Sequence, residues 1–300
     1  MKRSPRQMPH IESRPRSQAL NDTPPWQADV AVASAVARAL GLNGVEPVVL
    51  HVSGHTTVRL APWPIVARVL STFELESMMP GVRRELQVAQ HLAVKGAPAV
   101  APTVDPPPGP HVFGSATVTL WRFVAQRKAR GRADALAAGR ALHALHAALS
   151  DFPGELPMFT EDLDQCAGLL ADGQALQALA DAERAFFVGS LDELRAGLSL
   201  GGLRLSPLHG DAHLGNVMMT KAGPVWADLE SACLGPLEWE LTSLPGAARA
   251  AFAPLDKPLF RRLSLLRSLV VSVWCFYHAE RSPELRSTAE HHLRRLRRGL

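Results

Sequence analysis

The sequence predicts an α+β fold of two lobes, a small β-rich amino-terminal lobe followed by a larger, mainly helical carboxy-terminal lobe. Three observations carry that expectation. Short β-type segments crowd residues 48–124. From Arg130 onward the chain turns rich in Ala and Leu at helical spacing. A short non-helical insert, LSPLHGDAHLGNVMMTKAGPVWADLES, then interrupts the helices.

Residues 1–22 are Arg, Ser, Pro and Gln without an apolar period, which reads as a disordered basic tail. Thr23-Pro24-Pro25 has the form of a helix start, a capping hydroxyl followed by proline in the first turn, and QADVAVASAVARALGL supplies an apolar face. Three strands follow around VVLHVS, TTVRLA and IVARVL, separated by Gly54-His55 and by Pro62-Trp63-Pro64. A helix runs from about Met78 to Val94, with Lys95-Gly96 as its stop. VFGSATVTLWRFV reads as a pair of strands leading to a hinge near Arg122–Arg127. Helices are expected over 130–150, 161–197, 253–280 and 283–298, with Trp239 and Trp274 in the core. The division is therefore a tail at 1–22, an N-lobe at 23–124 and a C-lobe at 125–300.

Composition narrows the function classes. No stretch approaches the ~20 apolar residues that span a bilayer, and no apolar segment follows the basic N-terminus as in a secretory signal. Cys166, Cys233 and Cys275 are scattered and odd in number, which suits a reduced cytoplasm and excludes a disulfide framework or a cysteine zinc site. The net charge of +4 is uneven: residues 1–20 carry +4, residues 281–300 carry +4, and the remainder carries −4. The basic ends read as solvated surface rather than a nucleic-acid interface. Oligomeric state is left open.

The chemistry lies in His209-Gly210-Asp211-Ala212-His213-Leu214-Gly215-Asn216 and the hairpin that follows, ending at Asp228. Phosphoryl transfer asks little covalent help of a protein. It needs metal ions to neutralise the phosphates and a carboxylate to orient the attacking hydroxyl. An Asp, an Asn five residues on, and a second Asp beyond a short β-hairpin supply those groups in the order that protein kinases use. The other reading of the segment is a polar turn whose Asn and Asp side chains only cap backbone groups.

HGDAHLGN resembles the H-G-D-x-H-x-x-N signature of the aminoglycoside phosphotransferase-like kinases, and VWADLESACLGPLEWELTSL resembles that family's metal-binding strand and the helix after it. The likeness extends over most of residues 45–300, with Ala212 and Leu214 where the family often has Leu and Pro. It implies a bilobal protein-kinase-like fold and transfer of the γ-phosphate of ATP or GTP to a hydroxyl of an antibiotic or metabolite. It further implies Asp211 as catalytic base, Asn216 and Asp228 as Mg²⁺ ligands, and His209 and His213 as supports of the loop. Glu240, where the family usually has Asp, is implied to buttress that loop. In the first lobe Ser53, Gly54 and His55 occupy the place of the phosphate-covering loop, and Arg68 stands where the family's lysine holds the nucleotide phosphates. Glu85 is the expected helix partner of Arg68. His143 and His146, at i and i+3, read as packing or hydrogen-bonding groups of the core.

Two readings of function follow: an active small-molecule kinase, or a degenerate kinase-fold protein that binds nucleotide and is weakened by Arg68 and a glycine-poor loop. The missing activation segment counts against a protein kinase, since Gly235-Pro236 follows closely on Asp228-Leu229-Glu230. The acceptor is open. Asp151, Glu155, Glu161, Asp162 and Asp164 are candidates for a carboxylate-lined pocket, and short acidic clusters beside helix starts also act as caps.

Overall fold

A computed structural model describes residues 25–52, 54–71, 75–177, 179–252, 254–279 and 283–300. The tail at 1–22 and Ser53 lie outside the described residues.

Helix α1 (Pro25–Ala39) precedes three antiparallel strands, β1 (Glu46–Val52), β2 (Thr56–Ala61) and β3 (Ile65–Ser71). Helix α2 (Leu75–Val94) and the hairpin β4 (His111–Phe113) with β5 (Ala116–Arg122) follow. These strands form one sheet in the order β1-β2-β3-β5-β4. Alternation along β3 decides what each face does, because successive side chains point to opposite sides. Ile65, Ala67 and Val69 pack with Ala33, Val36 and Ala37 of α1. Val66 turns the other way, into a cluster with Leu86, Val88, Ala89 and Leu92 of α2. Arg68 is in register with Thr57 and Thr119 and shares the parity of Val66. It therefore emerges on the face opposite α1.

The helical lobe starts after the two-residue strand β6 (Arg127–Lys128), with α3 (Gly131–Leu149), α4 (Glu161–Ala171) and α5 (Asp181–Ala196). The helical periodicity read over 161–197 is broken at Asp172-Gly173. There the Asp172 carboxylate accepts from the amide of Gln174 at 2.8 Å, a local turn that competes with helix. The polar insert forms β7 (Ser206–Leu208), β8 (Val217–Thr220), β9 (Gly223–Trp226) and β10 (Cys233–Gly235). β8 pairs with β6 and β9, and β7 pairs with β10. Helices α6 (Leu237–Leu241), α7 (Gly246–Arg249), α8 (Lys257–Tyr277) and α9 (Pro283–Gly299) complete the chain. The fold is thus the expected α+β arrangement, a β-sheet region followed by a helical one.

Leu142 and Leu145 of α3, Val217 and Trp226 of the hairpin and Leu92 of α2 belong to one buried cluster, so the sheet, α3 and the insert share a core. The Trp226 indole donates to the Ala138 carbonyl at 3.2 Å and ties the hairpin to α3. Trp239 is fully buried, as its sequence context implies. Trp274 is not a core residue: it is half exposed, with its ring 4.4 Å from that of His278. Its helix is apolar on more than one side, and periodicity alone did not separate the buried side from the outer one. Among the described residues no helix is long and apolar enough to cross a membrane.

Leu142 lies where the sheet region, α3 and the insert meet, with no exposed surface. Leu142→Ala removes three methyl(ene) groups from that junction and is expected to cost about 2–5 kcal/mol. Urea unfolding at neutral pH measures the loss.

Candidate active site

β7 delivers the chain to His209, and the main features of the loop follow from what that segment meets. His209 is fully buried, its Nε2–H donates to the Ala227 carbonyl at 3.0 Å, and its ring packs edge-on against Trp226. Gly210 has φ +86°, and a Cβ there would sit 1.8 Å from the Ser231 carbonyl oxygen, so only glycine fits. Glu240, fully buried on α6, faces both residues from below. Its Oε1 accepts from the amide of His209 at 2.8 Å and from Nε2 of His146 at 2.7 Å, and its Oε2 accepts from the amide of Gly210 at 2.8 Å. Burial alone would raise the Glu240 carboxyl. The His146 hydrogen bond, the neighbouring His146 and His209 rings and the Gly210 amide outweigh it and hold the group below the usual carboxylate range.

Asp211 follows, open to solvent on one side. The Asn216 amide Nδ2 donates to its carbonyl at 3.0 Å and lies 3.4 Å from its Oδ2, while His213 Nε2 is 3.5 Å from the same Oδ2. Desolvation works against the Asp211 charge, but His213, Arg267 and His209 more than offset it, so the carboxyl stays well below its ordinary range and is ionised at neutral pH. His213 answers in the opposite sense. Burial pulls its imidazole down, and Asp211 and Asp228 carry it above its usual value.

The hairpin β8–β9 brings the second aspartate back beside Asn216, where the Ala227 amide donates to the Asn216 carbonyl at 2.9 Å. Asp228 has φ +67°, the one positive φ outside glycine among the described residues. A β-carbon makes that conformation costly, by about 1–3 kcal/mol. Its Oδ1 accepts from Arg68 Nη2 at 3.0 Å. Arg68 also donates through Nη1 to the buried Glu85, and Glu230 Oε2 lies 3.6 Å from Nη2. Burial disfavours the Arg68 charge, but Glu85, Asp228 and Glu230 together raise its pKa above the ordinary arginine value. His55 closes this group: Arg68 Nε donates to its Nε2 at 3.0 Å. Burial and then the Arg68 charge push the His55 imidazole down to about 3, so it is neutral and can accept.

The structure therefore brings Arg68, Glu85, His55 and Asp228 into one cluster, and Asp211, Asn216 and His213 into an adjoining one. His209 and Glu240 lie beneath the second. Gly54 sits beside His55 at an open turn with nothing within 4 Å of a Cβ position. Two neighbours were not singled out from sequence. Arg267 of α8 donates to the Gly210 carbonyl at 2.7 Å, and Glu230 flanks Arg68. The signal for Arg267 was a single cation inside the apolar run SLLRSLVV.

The acidic residues considered as an acceptor pocket are mostly committed elsewhere. Asp151 pairs with Lys95, Asp164 with Arg195, and Asp162 lies 3.8 Å from Arg267. Glu155 and Glu161 are exposed.

The depressed Glu240 carboxyl has a consequence for stability. Its folded value lies below its unfolded value of 4.5, so its contribution is full above about pH 4.5 and is lost as pH falls through the folded value. Glu240→Gln removes the charge and turns an amide NH₂ towards a backbone N–H. It is expected to cost about 1–3 kcal/mol at neutral pH. The gap between the two proteins should narrow as the solution is taken from about pH 5 towards pH 3. Urea titrations across that range measure it, and a gap independent of pH would contradict the assignment.

Comparison with known proteins supplies the family. Among solved structures, the chain aligns with a choline/ethanolamine kinase family protein from Mesorhizobium loti at TM-score 0.64 and 17% identity, covering 90% of this chain and 93% of that one. Choline kinase LicA from Streptococcus pneumoniae aligns at TM-score 0.65 and 13% identity, covering 90% and 98%. Amicoumacin kinase hAmiN aligns at TM-score 0.67 and 12% identity, covering 90% and 94%. At these identities the likeness is one of fold. No curated protein sequence matches the chain. The profile of the phosphotransferase enzyme family matches residues 55–268, which include Arg68, Glu85, the HGDAHLGN loop, Asp228 and Glu240, and the chain belongs to that family.

Proposed function

We propose that the chain is a small-molecule kinase that moves the terminal phosphoryl group of ATP or GTP to a hydroxyl of a metabolite or antibiotic. The observation that carries this reading is the convergence of Asp211, Asn216, Asp228 and Arg68 from three separate stretches of chain onto one mouth. Support for a nucleotide co-substrate also comes from the neighbours: hAmiN is described in complex with AMP-PNP, Ca²⁺ and Ami, and APH(2")-IIia with GDP and kanamycin.

In this reading Asp211 receives the acceptor hydroxyl in hydrogen bond. The hydroxyl oxygen forms a bond to the γ-phosphorus as the bond to the bridging β,γ-oxygen breaks. The hydroxyl proton passes to an Asp211 oxygen late in the step, and the departing nucleoside diphosphate takes the negative charge. Asp211 is suited to the role by its ionised carboxylate and by His213 and Asn216, which fix one of its oxygens.

The donor set suits a hard divalent cation. Asn216 turns Nδ2 towards Asp211, which leaves Oδ1 to face away, and Asp228 adds a carboxylate. Mg²⁺ characteristically binds one or two such oxygens together with substrate phosphates and water. When bound, the ion neutralises charge on the β- and γ-phosphates. Arg68 and the loop at Gly54-His55 hold the phosphates from the N-lobe side, and the backbone near 122–127 meets the purine. In this reading the protein works in the cytoplasm, which its free cysteines suit.

The second reading, a catalytically weak nucleotide-binding protein, is favoured by the engagement of Arg68 with Asp228 at 3.0 Å in place of the family's lysine. Nucleotide consumption with ATP and GTP over a panel of hydroxylated metabolites and antibiotics decides between the two. Turnover of no acceptor, with intact nucleotide binding, would favour the second.

Two variants test the assignments. Asp228→Ala is expected to remove the dependence of nucleotide affinity on Mg²⁺, while circular dichroism stays unchanged. Calorimetry with and without the metal reads it, and equal affinities in the unaltered protein would sink the metal role. Asp211→Asn is nearly isosteric and keeps the loop's shape. Turnover is expected to fall by ~10²–10⁴-fold with nucleotide affinity little changed, and near-normal turnover would remove Asp211 from the mechanism.

A further inference from the structure

Helix α8 carries a buried cation that the reaction as described does not use. Leu263, Leu266, Leu269 and Val273 bury the helix in the apolar core of the C-lobe, and Arg267 lies among them with 7% of its surface exposed. A guanidinium taken that far out of water is costly unless its donors and its face find partners. Nε has no hydrogen-bond partner among the described residues, but the other contacts are specific. Nη2 donates to the Gly210 carbonyl at 2.7 Å, the guanidinium carbon lies 3.7 Å over the centre of the Trp239 ring, and Nη1 is 3.8 Å from Asp162 Oδ2.

The carbonyl it holds is not an arbitrary one. Gly210 O and the Asp211 amide share one planar peptide unit, so fixing that oxygen fixes the tilt of the plane from which the Asp211 side chain departs. The two preceding peptide units are held by Glu240 through the amides of His209 and Gly210. Between those anchors and Asp211 stands the φ of Gly210, a residue with wide torsional freedom. The amide of Asp211 has only a long contact, 3.4 Å to His209 Nδ1. Among the described residues, Arg267 makes the one short hydrogen bond to this last peptide.

We propose that Arg267 is a positioning residue for phosphoryl transfer, setting the Gly210–Asp211 peptide and through it the direction of the Asp211 carboxylate. The inference rests on the reading of Asp211 as the base. Arginine suits the task better than lysine, because one planar group stacks on Trp239 while donating to the Gly210 carbonyl. A misplacement of about 1 Å in such a group can cost 10²-fold in rate.

The test uses the full chain, with Mg²⁺-ATP and Mg²⁺-GTP hydrolysed by water as the probe acceptor. Arg267→Met keeps the volume and leaves no buried charge. It is expected to lower turnover by about 10–100-fold with nucleotide affinity within about twofold, and Arg267→Lys to recover part of the loss. Amide hydrogen exchange over residues 209–213 should accelerate in both variants while the hairpin at 217–226 keeps its protection. Should Arg267→Met fail to fold, Arg267→Lys carries the test alone, with a smaller fall in turnover and the same local exchange.

Wild-type turnover and exchange in the variants would overturn the proposal. So would a parallel loss of turnover, nucleotide affinity and melting temperature in both, which marks a scaffold residue. Asp211→Asn run beside them distinguishes the failures. If it is inactive while Arg267→Met is normal, only the role of Arg267 falls. If Asp211→Asn is fully active, the base assignment and this inference fall together.

Discussion

Glu240 is a carboxylate without solvent, and the loop bearing Asp211 is arranged around it. A buried charge of this kind is tolerable only when its lone pairs are filled, and here two backbone amides and an imidazole fill them. The amides belong to His209 and Gly210, so satisfying the carboxylate and shaping the loop are one event. The imidazole belongs to α3, the helix that also receives Trp226 of the hairpin. Trp239, the residue before Glu240, packs on Phe159 at 5.3 Å and lies under the guanidinium of Arg267. The short helix α6 is thereby held from both sides: α6 and α8 act on His209 and Gly210, and α3 acts through Glu240. Glutamate in place of the family's usual aspartate adds one methylene. The reach to both amides is nevertheless made, at 2.8 Å each.

The second constraint is electrostatic and joins the sheet to the insert. Arg68 leaves β3 on the face opposite α1 and meets Glu85, Asp228 and Glu230, three carboxylates from two different parts of the chain. Asp228 reaches it only by adopting a left-handed backbone that its β-carbon resists. Such strain persists where surrounding contacts over-determine the residue, and here the Ala227–Asn216 hydrogen bond on one side and Arg68 on the other do so. A lysine at position 68 would bring one compact charge. The planar fork instead divides its donors between Glu85 and Asp228 and leaves Nε for His55, an arrangement that no ammonium can copy.

How much of this was legible in the sequence follows from the range of the interactions. The strands around 48–70, the hairpin ending at Asp228 and the family relation rest on local pattern or on contiguous motif, and these were readable. The turn at Asp172-Gly173 was also local, but it lies in a stretch whose periodicity runs on through it. Trp274 misled because an apolar helix hides which of its sides faces outward. Arg267 could not be assigned a partner from sequence, since Gly210 is 57 residues away and the contact uses a backbone carbonyl that carries no side-chain signature. The Arg68–Asp228 contact spans 160 residues. Only the three-dimensional course of the chain brings those groups together.

The same long-range pairing bears on the acceptor. Residues 21–280 carry −4 in total, which by itself would suit a polycation. Charge draws a ligand only where it is not already neutralised, and three of the five candidate acidic groups are paired with cations. Lys95, just beyond α2, takes Asp151, Arg195 of α5 takes Asp164, and Arg267 of α8 faces Asp162. The Asp164–Arg195 and Asp162–Arg267 pairs tie helix to helix, so freeing those carboxylates for a ligand would loosen a structural contact as well. A ligand with several ammonium groups would have to displace these partners or rely on Glu155 and Glu161, which are exposed and screened by salt. An acceptor with a single positive charge, or none, meets neither difficulty, and its recognition would then depend on the shape and hydrogen-bonding groups of the helical lobe.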